Sequence, residues 1–167
     1  MSKRRASTPA PAPARKKADA EVAGPRLGDF LCFAVYSANL AFGRAYKTVL
    51  PKLGLTYPQY IALVALWEQD GQTVSGLGEK LFLESNTLTP LLKKLEATGY
   101  VTRRRSAADE RQVVVSLTAA GRRLRDKGPG IDLGAATGLS PEEFGRTLRT
   151  VARMRDHLLD SAAPDDA

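Results

Sequence analysis

The clearest pattern in the chain is a leucine stripe. Leu88, Leu91, Leu92 and Leu95 fall at i, i+3, i+4 and i+7, the spacing of one buried helix face. At about 100° per residue, the opposite face centres on Asn86, Pro90, Lys93 and Ala97, flanked by Thr87, Thr89 and Lys94. That face is small, polar and basic, with no acid before Glu96. Ser85 is placed to cap the start of this helix and Gly99 to end it. Residues 73–84 read as a shorter helix and a tight turn. Gly76 and Gly78 sit inside the shorter helix, each costing about 1 kcal/mol relative to alanine, so close packing against the longer helix is the expected reason for them.

Upstream, the periodicity predicts a helix from Asp29 to about Leu50, with Asp29 as its N-cap and Pro51 and Gly54 marking the end. A second helix starts at Tyr57 and Pro58, since proline suits a first helical turn, and runs to Asp70 and Gly71. Its near-continuous apolar run, IALVALW, marks the centre of the core, with Trp67 as a packing residue. Downstream, residues 100–118 alternate as a β-hairpin: VVVSL is the outgoing strand, SAADER the polar tip, and Arg103, Arg104 and Arg105 stand on the incoming strand. Residues 118–127 are helical, a Gly-rich break follows at 128–138, and Ser140-Pro141-Glu142-Glu143 opens a terminal helix. Phe144, Leu148, Val151 and Leu158 give that helix an apolar stripe, and His157 lies in its last turn in a structural role.

Helix, turn, helix and basic hairpin is the order of a winged helix-turn-helix. The predicted fold is mainly α with a small β-hairpin wing: a DNA-binding region at 57–118, a helical dimerisation region at 27–56 and 119–160, and a disordered, basic, Ala/Pro-rich arm at 1–25. The arm reads either as a solubilising tail or as a loose electrostatic tether to DNA.

Charge sharpens this picture. The net charge is +7, and residues 85–127 hold ten basic against four acidic side chains, whereas residues 27–84 and 128–167 are each net negative. Outside the arm, the net positive charge is therefore confined to residues 85–127, the longer helix, the hairpin and the helical segment after it, and double-stranded DNA is the expected partner there. Candidate contacts are Ser85, Asn86, Thr87, Thr89 and Lys93 in a major groove, Arg103 and Arg105 along the hairpin, and Arg111 near the tip in a minor groove. Asp109 is placed to brace the Arg111 guanidinium. No apolar run reaches the roughly 20 residues of a membrane helix, and the N-terminus lacks the apolar stretch of a secretory signal, so a cytoplasmic location is expected.

Cys32 is the single cysteine. An isolated thiol in an apolar helix is ordinarily packing material. Here it falls in the first helical turn, where the partial positive charge of the helix terminus favours an anion, and Tyr36 shares its face four residues on. One histidine and one cysteine provide no metal cluster, and neither a cofactor nor an enzymatic activity is expected.

The segments LTYPQYIALVALWE and SNTLTPLLKKLEATGYVTRRRSAADERQVVVSLTAAG resemble the MarR family of winged-helix repressors, whose wing signature matches Asp109-Glu110-Arg111 followed by the strand and Leu117-Thr118. More narrowly, LCFAVYSA, LGLTYPQY and TLTPLLKKLE are similar to the organic hydroperoxide resistance regulators, over about residues 27–160. The resemblance implies a homodimeric repressor that binds a pseudo-palindromic operator when reduced and releases it when an organic hydroperoxide oxidises Cys32. It also implies that Tyr36, Tyr46 and Tyr57 hydrogen-bond the thiolate. Tyr46 lies fourteen residues beyond Cys32 in the sequence, about 21 Å along a straight helix, so it would reach a thiol only across a dimer. With no second cysteine, the sulfenic acid is expected to condense with a small cellular thiol or a backbone nitrogen. Other readings are a MarR-type repressor released by a small aromatic acid with Cys32 structural, a thiol peroxidase, and an architectural DNA protein acting through the arm.

Overall fold

The structure, a computed structural model, describes residues 24–127 and 132–162. The described residues fall into two units, one ending at Ser37 and the other beginning at Ala38. Nearly all of the predicted arm lies outside the described residues.

The first unit opens on a 3-10 turn at Leu27–Asp29, with the N–H of Asp29 donating to the Arg26 carbonyl at 2.9 Å and that of Phe30 to Leu27 at 3.3 Å. Phe30 is extended, and helix α1 (Leu31–Tyr46) begins after it. Asp29 is therefore not the N-cap: the 3-10 turn uses it, and the α-helix starts two residues later than the pattern predicts. Cys32 nevertheless stays in the first turn, as the second helical residue.

In the second unit α1 stops at Tyr46 rather than near Leu50. Successive i→i−3 bonds at Thr48 and Val49 tighten the chain into a 3-10 turn at Leu50–Leu53, closed by Gly54 at φ 69°. Helix α2 (Tyr57–Glu68) follows, its start held by the Thr56 N–H donating to Gln59 Oε1 at 2.8 Å. Leu63 and Leu66 of α2 are fully buried and form the centre of the core with Leu77, Leu88, Leu92, Leu95, Val101 and Val115. Trp67 donates its indole N–H to the Gly121 carbonyl at 2.9 Å, so it is a packing residue as expected.

Strand β1 (Gln72–Thr73), helix α3 (Val74–Leu81), helix α4 (Ser85–Ala97) and strands β2 (Val101–Arg105) and β3 (Val113–Leu117) complete the winged unit. The sheet order is β1-β3-β2, antiparallel throughout, with Arg103 opposite Val115 and Thr73 opposite Val114. The leucine stripe of α4 faces the core as predicted. Its start is different: Glu84 occupies the N-cap position without a side-chain cap, and Ser85 is the first helical residue. Glu84 instead accepts from Asn86 Nδ2 at 3.1 Å.

Gly78 packs as anticipated, since a Cβ there would lie 2.9 Å from the Leu83 carbonyl and 3.6 Å from the Leu88 side chain. At Gly76 a Cβ would instead lie 3.2 Å from the hydroxyl of the capping Thr73, which accepts the Gly76 N–H at 3.1 Å.

Helix α5 (Ala119–Lys127) follows β3. A short helix, α6 (Leu133–Thr137), stands where only a break was expected, capped by Asp132, and α7 (Pro141–Ala162) opens with the predicted Ser140–Glu143 capping box. Because α7 continues to Ala162, His157 lies before its last turn. Among the described residues no helix is long and apolar enough to cross a membrane.

Candidate functional site

The first unit carries the thiol. Cys32 is a free, exposed cysteine near the N-terminus of α1, and Tyr36 is exposed one turn on, its ring 6.4 Å from that of Phe33. Leu27, Phe30 and Leu31 surround this turn in sequence and are exposed as well.

The second unit carries the other two tyrosines singled out from the sequence. Tyr46 and Tyr57 meet at 4.6 Å between ring centroids, and Tyr60 lies 5.9 Å from Tyr46 and 5.9 Å from Trp67. Tyr60 was not a candidate in the sequence, since one aromatic in the apolar α2 run reads as core. Burial, followed by the neighbouring Tyr57 and Tyr60, pushes the Tyr46 phenol up to about 12, and burial also raises Tyr57 and Tyr60. Beside the pair lies a cleft of about 690 Å³ with apolar walls including Leu40, Leu50 and Leu55 and two cations, Arg44 and Lys47.

The outer face of α4 presents Ser85, Asn86, Thr87 and Lys93 to solvent, with Thr89 half-buried. Thr87 donates its hydroxyl to Asn86 Oδ1 at 3.1 Å, which aligns the two side chains. Pro90, inside the helix, has no N–H to give the Asn86 carbonyl.

At the wing tip, Asp109 Oδ1 accepts both the backbone N–H and the Nε–H of Arg111 at 3.1 Å, and Gln112 donates to its other oxygen at 3.3 Å. The Arg111 side chain is 92% exposed, so the brace holds the guanidinium while leaving it open to a partner. These bonds outweigh the slight desolvation and hold the Asp109 carboxyl below its ordinary range.

Arg105 is exposed on β2, but Arg103 is not free. Its guanidinium is held by Glu96 of α4, with Nε and Nη2 at 2.9 and 2.6 Å from Oε2. Thr73, Ser75, Thr89 and Arg111 line a smaller cleft of about 270 Å³ where α3, α4 and the wing meet.

This geometry is a leucine-anchored helix with a small polar outer face, beside a two-stranded wing with a braced arginine. A family model described as the transcriptional regulator SarA/Rot matches residues 44–127. Over 136 residues the chain is 46% identical to the organic hydroperoxide resistance transcriptional regulator of Bacillus subtilis, spanning 81% of this chain and 91% of that one. The chain belongs to the MarR-like winged-helix transcriptional regulators.

This regulator is also 51% identical over 130 residues to the HTH-type transcriptional regulator TtmR of Methylorubrum extorquens, covering 77% of this chain and 67% of TtmR. AbfR of Staphylococcus epidermidis superposes on it with a TM-score of 0.69 at 33% identity, over 80% of this chain and 94% of AbfR. AbfR has been solved bound to DNA in reduced and in overoxidized form, and also as a disulfide.

Proposed function

We propose that this regulator is a peroxide-sensing repressor that holds operator DNA while Cys32 is reduced and releases it when an organic hydroperoxide oxidises that thiol. The observation that carries the reading is Cys32 itself: it is the only cysteine, it is free and exposed, and it stands in the first turn of α1. A thiol that merely filled the core would be covered. The name of the Bacillus subtilis relative and the redox forms of AbfR support the same reading.

The chemistry is a two-electron oxidation. The Cys32 sulfur attacks one peroxide oxygen and the O–O bond breaks, giving a sulfenic acid and, after protonation, the alcohol. A small thiol then displaces water from the sulfenic acid to form a mixed disulfide. Since overoxidized AbfR is bound to DNA, we assign release to the bulk of the mixed disulfide rather than to oxidation alone.

DNA is read by the outer face of α4 and by Arg105 and Arg111 of the wing. The exposed apolar residues Leu31, Phe33 and Leu40 of α1, with Leu148, Val151 and Leu158 of α7, are the surfaces of a homodimer. Tyr36, Tyr46 and Tyr57 support the thiolate, the latter two from the partner subunit. The protein acts as a regulator rather than a peroxidase, because a single thiol would depend on outside thiols for every turnover.

One observation favours a second reading. The apolar cleft beside Tyr46 carries Arg44 and Lys47, an arrangement suited to a small aromatic acid, which would make Cys32 incidental. Cys32→Ser separates the two. Peroxide sensing predicts that this variant binds operator DNA as the wild type does and stays bound when cumene hydroperoxide and a small thiol are added. Normal peroxide-induced release by Cys32→Ser excludes the sensor.

A further inference from the structure

Glu96 is the one acid on the otherwise basic and polar α4, and it stands in the last turn of that helix. Its two oxygens are divided between two parts of Arg103. Oε1 accepts the backbone N–H at 3.0 Å, and Oε2 accepts Nε and Nη2 of the guanidinium at 2.9 and 2.6 Å. Gripping both backbone and side chain of one residue fixes rotation as well as distance, which a single exposed ion pair does not. The pair is also partly shielded, with side-chain exposures of 23% for Arg103 and 37% for Glu96. Among the described residues no other hydrogen bond joins α4 to β2.

Arg103 is the middle residue of β2, paired in register with Val115 of β3, and the hairpin leads from it to the braced tip at Asp109 and Arg111. A continuous series of directional bonds therefore runs from the recognition helix to the wing arginine. We propose that Glu96 is a positioning residue for DNA recognition, its carboxylate setting the wing at the angle from which Arg111 and the outer face of α4 engage one DNA segment. This rests on the DNA-reading role proposed above.

The sign of the effect distinguishes positioning from charge. Removing an acid from a DNA-facing surface tightens binding if only electrostatics acts, because phosphate attraction rises. Loss of a positioning bond weakens specific binding instead.

The test uses the full chain, a duplex selected by the wild type from a random-sequence pool, and a scrambled duplex of the same composition, at one salt concentration. Glu96→Gln is expected to bind the selected duplex about tenfold more weakly, the scale of one well-placed groove contact, with affinity for the scrambled duplex unchanged or slightly higher. Arg111→Ala should cost less in the Glu96→Gln background than in the wild type, since a misplaced wing has less to lose. Unchanged or tighter binding of the selected duplex by folded Glu96→Gln overturns the proposal, and so does full additivity with Arg111→Ala.

Should Glu96→Gln unfold, the charge exchange Glu96→Arg with Arg103→Glu or, failing that, Arg103→Lys decides the same question. Recovered specific binding by the exchange, or a loss confined to the selected duplex with Arg103→Lys, supports positioning, and any other result opposes it. If the wild type selects no duplex at all, the DNA-reading role fails before Glu96 is tested.

Discussion

The rings of Tyr46 and Tyr57 lie 4.6 Å apart at an interplanar angle of 32°, bringing together the last residue of α1 and the first of α2. Tyr46 is only 7% exposed, so its phenolate would form in a low-dielectric site next to two other phenols. The folded value of about 12, against an ordinary 10.0, makes the neutral phenol the favoured form. Stability from this group is complete below pH 10 and is lost as pH rises through about 12. Tyrosinate absorbance followed against pH should show a late component that disappears in Tyr46→Phe. In Tyr57→Phe that component should move to lower pH yet stay above 10, because burial is the larger cause. Titration of every tyrosine at the ordinary value would contradict the buried cluster.

Asp109 makes a second prediction because it touches Arg111 twice. If Arg111 enters a minor groove, Arg111→Ala weakens operator binding by about 1 to 3 kcal/mol. Asp109→Ala leaves the arginine charge in place and removes only its brace, so its cost should have the same sign and be smaller. In the double variant the Asp109 effect should vanish, since there is no longer a guanidinium to orient. Equal losses from Asp109→Ala in the presence and absence of Arg111 would show that the carboxylate acts elsewhere.

Asp70 ties three elements together. It follows α2, accepts the Leu117 N–H of β3 at 2.8 Å, and pairs with Arg122 of α5. Burial raises its carboxyl, but the Leu117 N–H, Arg122 and the Gly71 N–H together outweigh that and bring it below 3.8. The stabilising contribution is therefore present above pH 3.8 and is lost as pH falls through the lower folded value. Asp70→Asn should destabilise the fold by about 1 to 3 kcal/mol near neutral pH, and the gap to wild type should close in acid. Urea melts at neutral and acidic pH measure this. A constant difference across that range would assign the loss to packing.

Much of this architecture is visible as pattern. The α4 stripe, the hairpin and the Ser140 capping box each depend on local spacing, and local spacing is what a sequence displays. The departures come from contacts between distant residues. β1 has only two residues, too few to alternate, and exists because Gln72 and Thr73 pair with Val115 and Val114 some forty positions away. Arg103 looks like a DNA contact in a run of three arginines, and only the approach of β2 to α4 shows it gripped by Glu96. Tyr60 likewise joins the site only because its ring meets that of Tyr46, fourteen positions away. At Asp29, two local solutions compete, and the 3-10 turn takes the residue that looked like a cap.

Helical glycines give the last prediction, because packing and propensity there have opposite signs. Replacing a helical glycine with alanine ordinarily stabilises by about 1 kcal/mol. Gly145 in α7 fits that case, since a Cβ would meet only the mobile end of Arg149, at 3.4 Å. At Gly78 the new methyl would stand 2.9 Å from the Leu83 carbonyl, closer than carbon and oxygen tolerate, and would press on Leu88 of α4. The Leu83 N–H is itself bonded to the Gly78 carbonyl at 2.9 Å, so the turn between α3 and α4 cannot yield without losing that bond. Gly145→Ala is therefore expected to raise the melting temperature, and Gly78→Ala to lower it by the equivalent of about 1 to 3 kcal/mol, the usual cost of overpacking. Because Leu83 and Leu88 flank the start of α4, the helix proposed to read DNA, Gly78→Ala should also weaken operator binding under conditions where it remains folded. A stabilised Gly78→Ala would mean that α3 and α4 are not packed as closely as the glycine requires.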